Sequence, residues 1–246
     1  ADDITVSVDP WGCHANVLFP LPKRITDNCD PNPSYSVKGP AGIHIILNPI
    51  TNRYIAFNVP KGIHEFYYEA KDCCGNIGRD TVLVNVRDLT PPVAIAKEFI
   101  VISLTNGGDG TGIAKMYANS VDNGSYDGCT PVHLEIRRDS DNCGISGNAT
   151  YNDDGHPFDG SSNPNSPNYD PDGGAYVKFC CEDLTDVENG VPFGIVKVWL
   201  RVWDDGDMNG VFGSAGDNYN ETWAFVRVED KLPPVLLCPP NVTINC

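Results

Sequence analysis

The stretch Asp205-Gly-Asp207-Met-Asn209-Gly210 carries the clearest chemistry in the chain. It fits the calcium-loop opening D-x-[DN]-x-[DN]-G, in which alternate oxygens face one point and the glycine allows a sharp turn. A helix–loop–helix site would place Glu at the twelfth position. Here Gly216 stands there, Asp217 follows, and no helical pattern flanks the loop. The expectation is a calcium loop between two strands, with Asp204, Asp217 or Asn218 as further ligands; the alternative is a solvated acidic turn. Asp153, Asp154, Asp159, Asp170 and Asp172 form a second group of candidates, within a stretch from Arg138 to Gly174 crowded with Asp, Asn, Ser, Gly and Pro. A long loop so poor in apolar residues cannot pack on itself, and calcium bridging would order it.

Ten cysteines occur, at 13, 29, 73, 74, 129, 143, 180, 181, 238 and 246. None forms a paired CxxC zinc arrangement. The even count in an acidic chain rich in Gly and Pro points to disulfides and an oxidising compartment. Cys13 and Cys29 are expected to pair with Cys73 and Cys74, and Cys129 and Cys143 with Cys180 and Cys181, the connectivity inside each set being open. Cys238 and Cys246 pair together or with a neighbour.

Other chemistries lack support. The five histidines show no H-x-x-x-H spacing, and no G-x-S-x-G, P-loop or H-E-x-x-H occurs. The acids cluster in Gly-rich turns, so no catalytic residue is assigned and the chain reads as a non-enzyme. The net charge of -16, from 33 acids against 17 bases, excludes a phosphate-neutralising surface and hence nucleic acid. No apolar run approaches the ~20 residues of a membrane span. No signal peptide is visible, as expected of a mature chain or an internal segment.

The elements that must hold these residues follow from a phrase that occurs twice. Val84-Asn-Val-Arg-Asp88-Leu-Thr-Pro91-Pro92-Val93 returns as Val226-Arg-Val-Glu-Asp230-Lys-Leu-Pro233-Pro234-Val235, at an offset of 142 residues. Each copy is an alternating strand, an acid, and a Pro-Pro step that cannot continue a sheet ladder. Strands are expected over Asp3–Val8, Cys13–Leu21, Ile43–Leu47, Tyr54–Val59, the aromatic run ending near Ala70, and Thr81–Val86. About seven short strands separated by turn signals predict an immunoglobulin-like sandwich. The second unit repeats the plan with Phe99–Leu104, Ile113–Asn119 and a long strand to Asp204. Cys29 and Cys129 differ by 100, whereas Pro60 and Pro192, Gly62 and Gly194, and Asp72 and Asp204 differ by 132. The extra residues therefore fall in Arg138–Gly174 and after Asp204. The fold class is all-β: two tandem immunoglobulin-like β-sandwiches, 1–90 and 91–232, the second with long loop insertions. Residues 233–246 are the opening strand of a following repeat, or a strand shared with a neighbour.

Pro-x-Gly, an aromatic strand, Ala-x-Asp-x-x-Gly-Asn and Val-x-Val-x-Asp-x-x-Pro-Pro together resemble the HYR (hyalin-repeat) type of immunoglobulin-like domain. The Asp-Asn-Cys loop and the closing Cys238-Pro-Pro-Asn-Val-Thr-Ile-Asn-Cys246 resemble its variant in very large surface proteins of Bacteroidetes-type bacteria. The doubled cysteine in Asp72-Cys-Cys-Gly departs from that pattern. The resemblance implies extracellular, repeated, adhesive or filament-forming modules without catalytic residues. Asp80-Thr81-Val82 is similar to a Bacteroidetes O-glycosylation pattern, so Thr81 joins Asn148 and Asn220, both in N-x-[ST] sequons, as a possible glycosylation site.

The expected function is a structural repeat unit of an extracellular or cell-surface fibre or giant adhesin. It would be joined end to end to further copies, stabilised by disulfides and calcium, with surface glycans as possible partners. A continuous tandem array and exchange of the 233–246 strand between subunits are both open. The alternative is a carbohydrate- or ligand-binding adhesin module that uses the 138–174 loop, with Trp199 or Trp203, as recognition surface. Those two tryptophans share one strand face and are expected in the core.

Overall fold

The computed structural model describes residues 2–107, 111–138, 176–210 and 212–234. The first sandwich is built from β1 (Ile4–Ser7), β2 (His14–Leu18), β3 (Ser34–Lys38), β4 (His44–Asn48), β5 (Arg53–Pro60), β6 (Gly62–Lys71) and β7 (Ile77–Arg87). One sheet has the order β1-β7-β6-β3 and the facing sheet β2-β5-β4. Alternation decides which side chains meet between them. Val82, Val84 and Val86 point inward from β7 and close on Phe66, Val37, Val17 and Ala56.

The second sandwich repeats the scheme with β8 (Phe99–Ser103), β9 (Thr105–Asn106), β10 (Gly112–Tyr117), β11 (His133–Arg138), β12 (Tyr176–Cys180), β13 (Asp186–Glu188), β14 (Val191–Trp203) and β15 (Tyr219–Glu229). The sheet β11-β14-β15-β8, with β13 beside β14, faces β12-β10-β9. Its core gathers Met116, Ile136, Phe179, Val198, Leu200, Val202, Val226 and Val228. The stretch expected as strand up to Asn119 ends at Tyr117 and closes in one helical turn, α1 (Ala118–Val121).

In both sandwiches the entering strand runs parallel to the leaving one. Ile4 faces Val84 and Val6 faces Val86; Ile100 faces Val226 and Ile102 faces Val228. The chain crosses over just beyond, where Val8 N donates to Arg87 O at 2.8 Å and Leu104 N to Glu229 O at 2.9 Å. The first sandwich thus contains its own opening strand.

The expectation of buried tryptophans divides: Trp203 is buried and Trp199 is only partly so. Val198, Leu200 and Val202 are the core-facing set of β14, so Trp199 and Trp203 face outward. Trp203 is buried at the strand end, where its Nε1 donates to Glu135 Oε2 at 2.8 Å and its ring meets Tyr219. Trp199 meets the half-exposed Trp223 edge to face, with Lys197 Nζ 3.8 Å from its ring centre.

Candidate functional site at the joint between the sandwiches

The two sandwiches are joined by a disulfide between Cys13 and Cys129. This corrects the expected pairing of Cys13 with Cys73 or Cys74, and of Cys129 with Cys180 or Cys181. Strand geometry gives the reason. Cys13 precedes β2, whose His14 faces Pro60, and β6 starts next to it at Gly62. Cys73 and Cys74 follow the other end of β6, roughly 30 Å away at the usual rise per residue. A disulfide spans at most about 7 Å between Cα atoms. Cys129 instead projects from the second sandwich toward the Pro10–Gly12 turn. A Cβ on Gly128 would overlap the Pro10 carbonyl and stand 3.0 Å from Gly12 N, so glycine permits this approach. Cys29, Cys73, Cys74 and Cys181 are exposed free thiols, contrary to their expected place in bridges. The Sγ atoms of Cys73 and Cys74 lie 3.9 Å apart, unbonded. Cys180 is disulfide-bonded. Cys143, Cys238 and Cys246 lie outside the described residues.

Beside the bridge, three acids from three places in the chain converge. Asp127 Oδ1 accepts from Cys129 N at 2.7 Å and Thr130 N at 2.8 Å. Asp204, at the end of β14, accepts from Asn218 N (2.7 Å) and Asn218 Nδ2 (2.9 Å). Asp88, after β7, accepts from Thr90 N through Oδ1 at 3.3 Å. One carboxylate oxygen from each of Asp88, Asp127 and Asp204 lies within 4.8 Å of those of the other two. Asn218 Nδ2 also reaches Asp88 O at 3.4 Å, and Asn220 Nδ2 reaches Pro92 O at 3.2 Å, tying the second sandwich to the Pro-Pro step.

Electrostatics at this cluster are unfavourable. Burial pushes the Asp204 carboxyl up to about 6 despite both Asn218 hydrogen bonds, and the charges of Asp88 and Asp127 add to the rise. Burial also raises Asp88, with the Thr90 hydrogen bond pulling the other way, Asp127 adding to the rise, and the Lys61 ammonium opposing it.

Of the further ligands expected beside the motif, Asp217 joins it and Asp204 does not. Asp205, Asp207 and Asp217 do come together. Asp204 faces Asp88 and Asp127 instead. Asn209 N donates to Asp205 Oδ1 and Asp207 Oδ1, and its Nδ2 donates to Asp207 Oδ2 and Ser214 Oγ. Gly210 N donates to Asp205 Oδ2 and Ser214 N to Asp217 Oδ2. Met208 (φ 59°) and Gly210 (φ 78°) turn the chain through left-handed backbone to make this possible. Asp153, Asp154, Asp159, Asp170, Asp172 and Asn148 lie outside the described residues. Thr81 is exposed on β7. Asn220 is exposed too, although its amide nitrogen is already engaged with Pro92 O.

The same receiving groups recur at the far end of the first sandwich. Asp27 Oδ1 accepts from Cys29 N (2.9 Å) and Asp30 N (2.7 Å), as Asp127 does from Cys129 and Thr130. Asp72 grips Asn76 through N and Nδ2, both at 2.7 Å, as Asp204 grips Asn218. Asp230 Oδ1 accepts from Leu232 N at 2.9 Å, as Asp88 does from Thr90. The bonds are the same and the surroundings differ. The Asn76 side chain, helped by backbone donors, holds the solvent-facing Asp72 below its ordinary value, whereas burial reverses the sign at Asp204. Asp88 and Asp127 were legible as members of the repeat but not as site residues; the offsets of 142 and 100 were the available signal.

No family model matches the chain, and no curated protein matches it. Among solved structures it is similar to human mucin-like protocadherin EC1-2, at 13% identity over 93% of this chain and 96% of that one, with a TM-score of 0.32. It is similar to the I-band fragment I67-I69 of titin at 8% identity, over 93% and 63%, with a TM-score of 0.31. A SusE-like surface located polysaccharide binding protein from the Bacteroides thetaiotaomicron heparin utilisation locus matches at 9% identity, over 92% and 33%, with a TM-score of 0.27.

Proposed function

We propose that the chain is a structural repeat unit of an extracellular or cell-surface fibre or giant adhesin, joined end to end with further units of its own kind. One observation carries this reading. The groups that receive the first sandwich at the internal joint (Asp127, Cys129, and Asp204 with Asn218) recur as Asp27, Cys29, and Asp72 with Asn76 at the far, exposed end of the first sandwich. The acid that enters the joint, Asp88, recurs as Asp230. One end of the chain thus repeats the acid, cysteine and Asp–Asn pair of the receiving side, and the other repeats the entering acid, while no cysteine between Phe99 and Gly128 stands where Cys13 does.

Within this reading the Cys13–Cys129 bridge resists bending at the joint. Calcium held by Asp205, Asp207, Asn209 and Asp217 would stiffen the second sandwich, and the acidic surface would keep neighbouring fibres apart. A continuous tandem array fits better than strand exchange, because β1 already fills the place beside β7.

Imaging of the native assembly tests the proposal. An unbranched fibre whose axial repeat spans two sandwiches supports it, and an isolated particle of two sandwiches overturns it. Mass spectrometry after reduction and denaturation separates the covalent array from subunits, since a native species near 26.7 kDa excludes the array.

A second reading rests on the outward face of β14 and β15, where Trp199 and Trp223 stand beside Lys197 and Arg137. A ligand-binding adhesin would use such an aromatic surface to stack sugars. Specific signals on a glycan array, lost in Trp223→Ala, would favour it.

A further inference from the structure

The three acids at the joint pose a physical problem that the hydrogen bonds do not solve. Asp88 is 1% exposed and Asp204 0% exposed. Both are placed beside Asp127, with a carboxylate oxygen of each within 4.8 Å of the others. Like charges at that spacing, away from water, repel strongly. Asp204 has both oxygens engaged by Asn218 and Asp127 has Oδ1 engaged by its own turn. Asp88 has Oδ1 engaged by Thr90, and its Oδ2 is buried with no hydrogen-bond partner. A buried carboxylate oxygen without a donor is unfavourable unless something positive completes it. The positive group whose charge acts on Asp88 is Lys61, whose Nζ is itself buried without a hydrogen-bond partner. Lys61 makes no ion pair within 4.0 Å with Asp88 among the described residues.

We infer that Asp88, Asp127 and Asp204 form a calcium site that locks the two sandwiches to each other, with the unpaired Oδ2 of Asp88 as the ligand the first sandwich contributes. The donor set is all oxygen and its charge is high, which suits a hard divalent cation of flexible coordination. Asn218 and the Asp127 turn keep the second sandwich's carboxylates oriented before the ion arrives. This site is separate from the Asp205–Asp207–Asp217 loop. It draws on both sandwiches, whereas the loop lies within one. It does not depend on end-to-end assembly, because a single chain contains the whole site. Lys61 acts as the competing resident charge that calcium displaces.

The experiment uses the full chain with Asp205→Asn and Asp207→Asn, which silences the loop, after chelator treatment. Calcium chloride is titrated in by calorimetry. One calcium is expected to bind, with Kd on the order of 10⁻⁴–10⁻³ M, the range of weak extracellular modules. Asp127→Asn in this background keeps the Oδ1 acceptor of its turn and is expected to weaken binding about tenfold, as removal of one charged ligand does in tunable oxygen sites. Asp88→Asn is expected to act in the same direction, and it serves as the second variant if either one perturbs folding. Lys61→Met is expected to tighten binding several-fold. No heat up to about 10 mM calcium, well above the weakest such modules, would show that Lys61 neutralises the cluster alone and would overturn the inference. So would an affinity left unchanged by both Asp127→Asn and Asp88→Asn. Native fibres could still form in either case, so failure here is distinct from failure of the structural-repeat reading.

Discussion

Cys13 of the first sandwich is bonded to Cys129 of the second, and the N–H of Cys129 donates at 2.7 Å to Asp127, the acid that meets Asp88 and Asp204. Covalent and ionic parts of the joint thus hang on one turn of the chain. Peptide mapping of the native, unreduced protein should recover Cys13 and Cys129 in one cross-linked fragment. Alkylation of the folded protein should modify Cys29, Cys73, Cys74 and Cys181 while leaving Cys13, Cys129 and Cys180 untouched. Recovery of Cys13 linked to Cys73 or Cys74 would contradict the joint.

Gly128 brings the backbone of the second sandwich against the Pro10–Gly12 turn of the first. Gly128→Ala pushes a methyl group into the Pro10 carbonyl and should spread the joint without touching either core. The bridge should then be reduced by dithiothreitol several-fold faster than in the parent, while both sandwiches keep their melting temperatures. A parental reduction rate would mean that the turn shifts at no cost.

The second sandwich encloses an ion pair between Arg138 and Asp183, whose side chains are 2% and 0% exposed. Arg138 Nη1 also donates to Lys178 O at 2.5 Å, and Asp183 accepts from Cys180 N at 3.1 Å. Asp183→Ala strands the guanidinium in the interior and should cost about 3–5 kcal/mol in urea denaturation. Replacing both partners with apolar residues, Arg138→Met with Asp183→Leu, should recover much of that loss.

His133 titrates against burial. Its ring stacks on Phe212 at 4.9 Å, its Nε2 is buried without a partner, and burial lowers its pKa in the folded chain. A histidine held below its unfolded value binds its proton more readily when unfolded. Its contribution is therefore intact above the unfolded pKa of about 6.5 and is lost progressively as the pH falls below it. His133→Phe keeps the stack and should flatten that part of the stability–pH curve, measured by denaturation at stepped pH.

The strands that the sequence made legible are those whose alternation is uninterrupted, such as Val82, Val84 and Val86, or Val198, Leu200 and Val202. β3 and β11 were not legible as strands. Ser34–Lys38 buries only Val37, and His133–Arg138 buries Glu135 and Arg138 beside Ile136. Arg138 is buried against Asp183, and Glu135 on the opposite face against Trp203, partners from distant segments that a local pattern does not record. The acidic loop was legible as a cluster, yet Asp204 was grouped with Asp205 and Asp207. Successive residues leaving a strand point to opposite sides, so Asp204 turned toward the joint and its neighbours away from it. Cysteine counting suggested bridges inside each sandwich because counting carries no distance. The length of β6 separates Cys13 from Cys73 and Cys74.

The parallel pairing of β1 with β7, and of β8 with β15, has a mechanical consequence. A chain that enters and leaves along parallel strands enters at one pole and exits at the other, so a pull on the two ends loads the pairs Ile4–Val84 through Ser7–Arg87 in shear. Every hydrogen bond of that seam then bears the force at once, where a hairpin pulled from one side would open one bond at a time. The same holds for Phe99–Phe225 through Ser103–Glu229, which places a parallel seam of each sandwich along the line of tension.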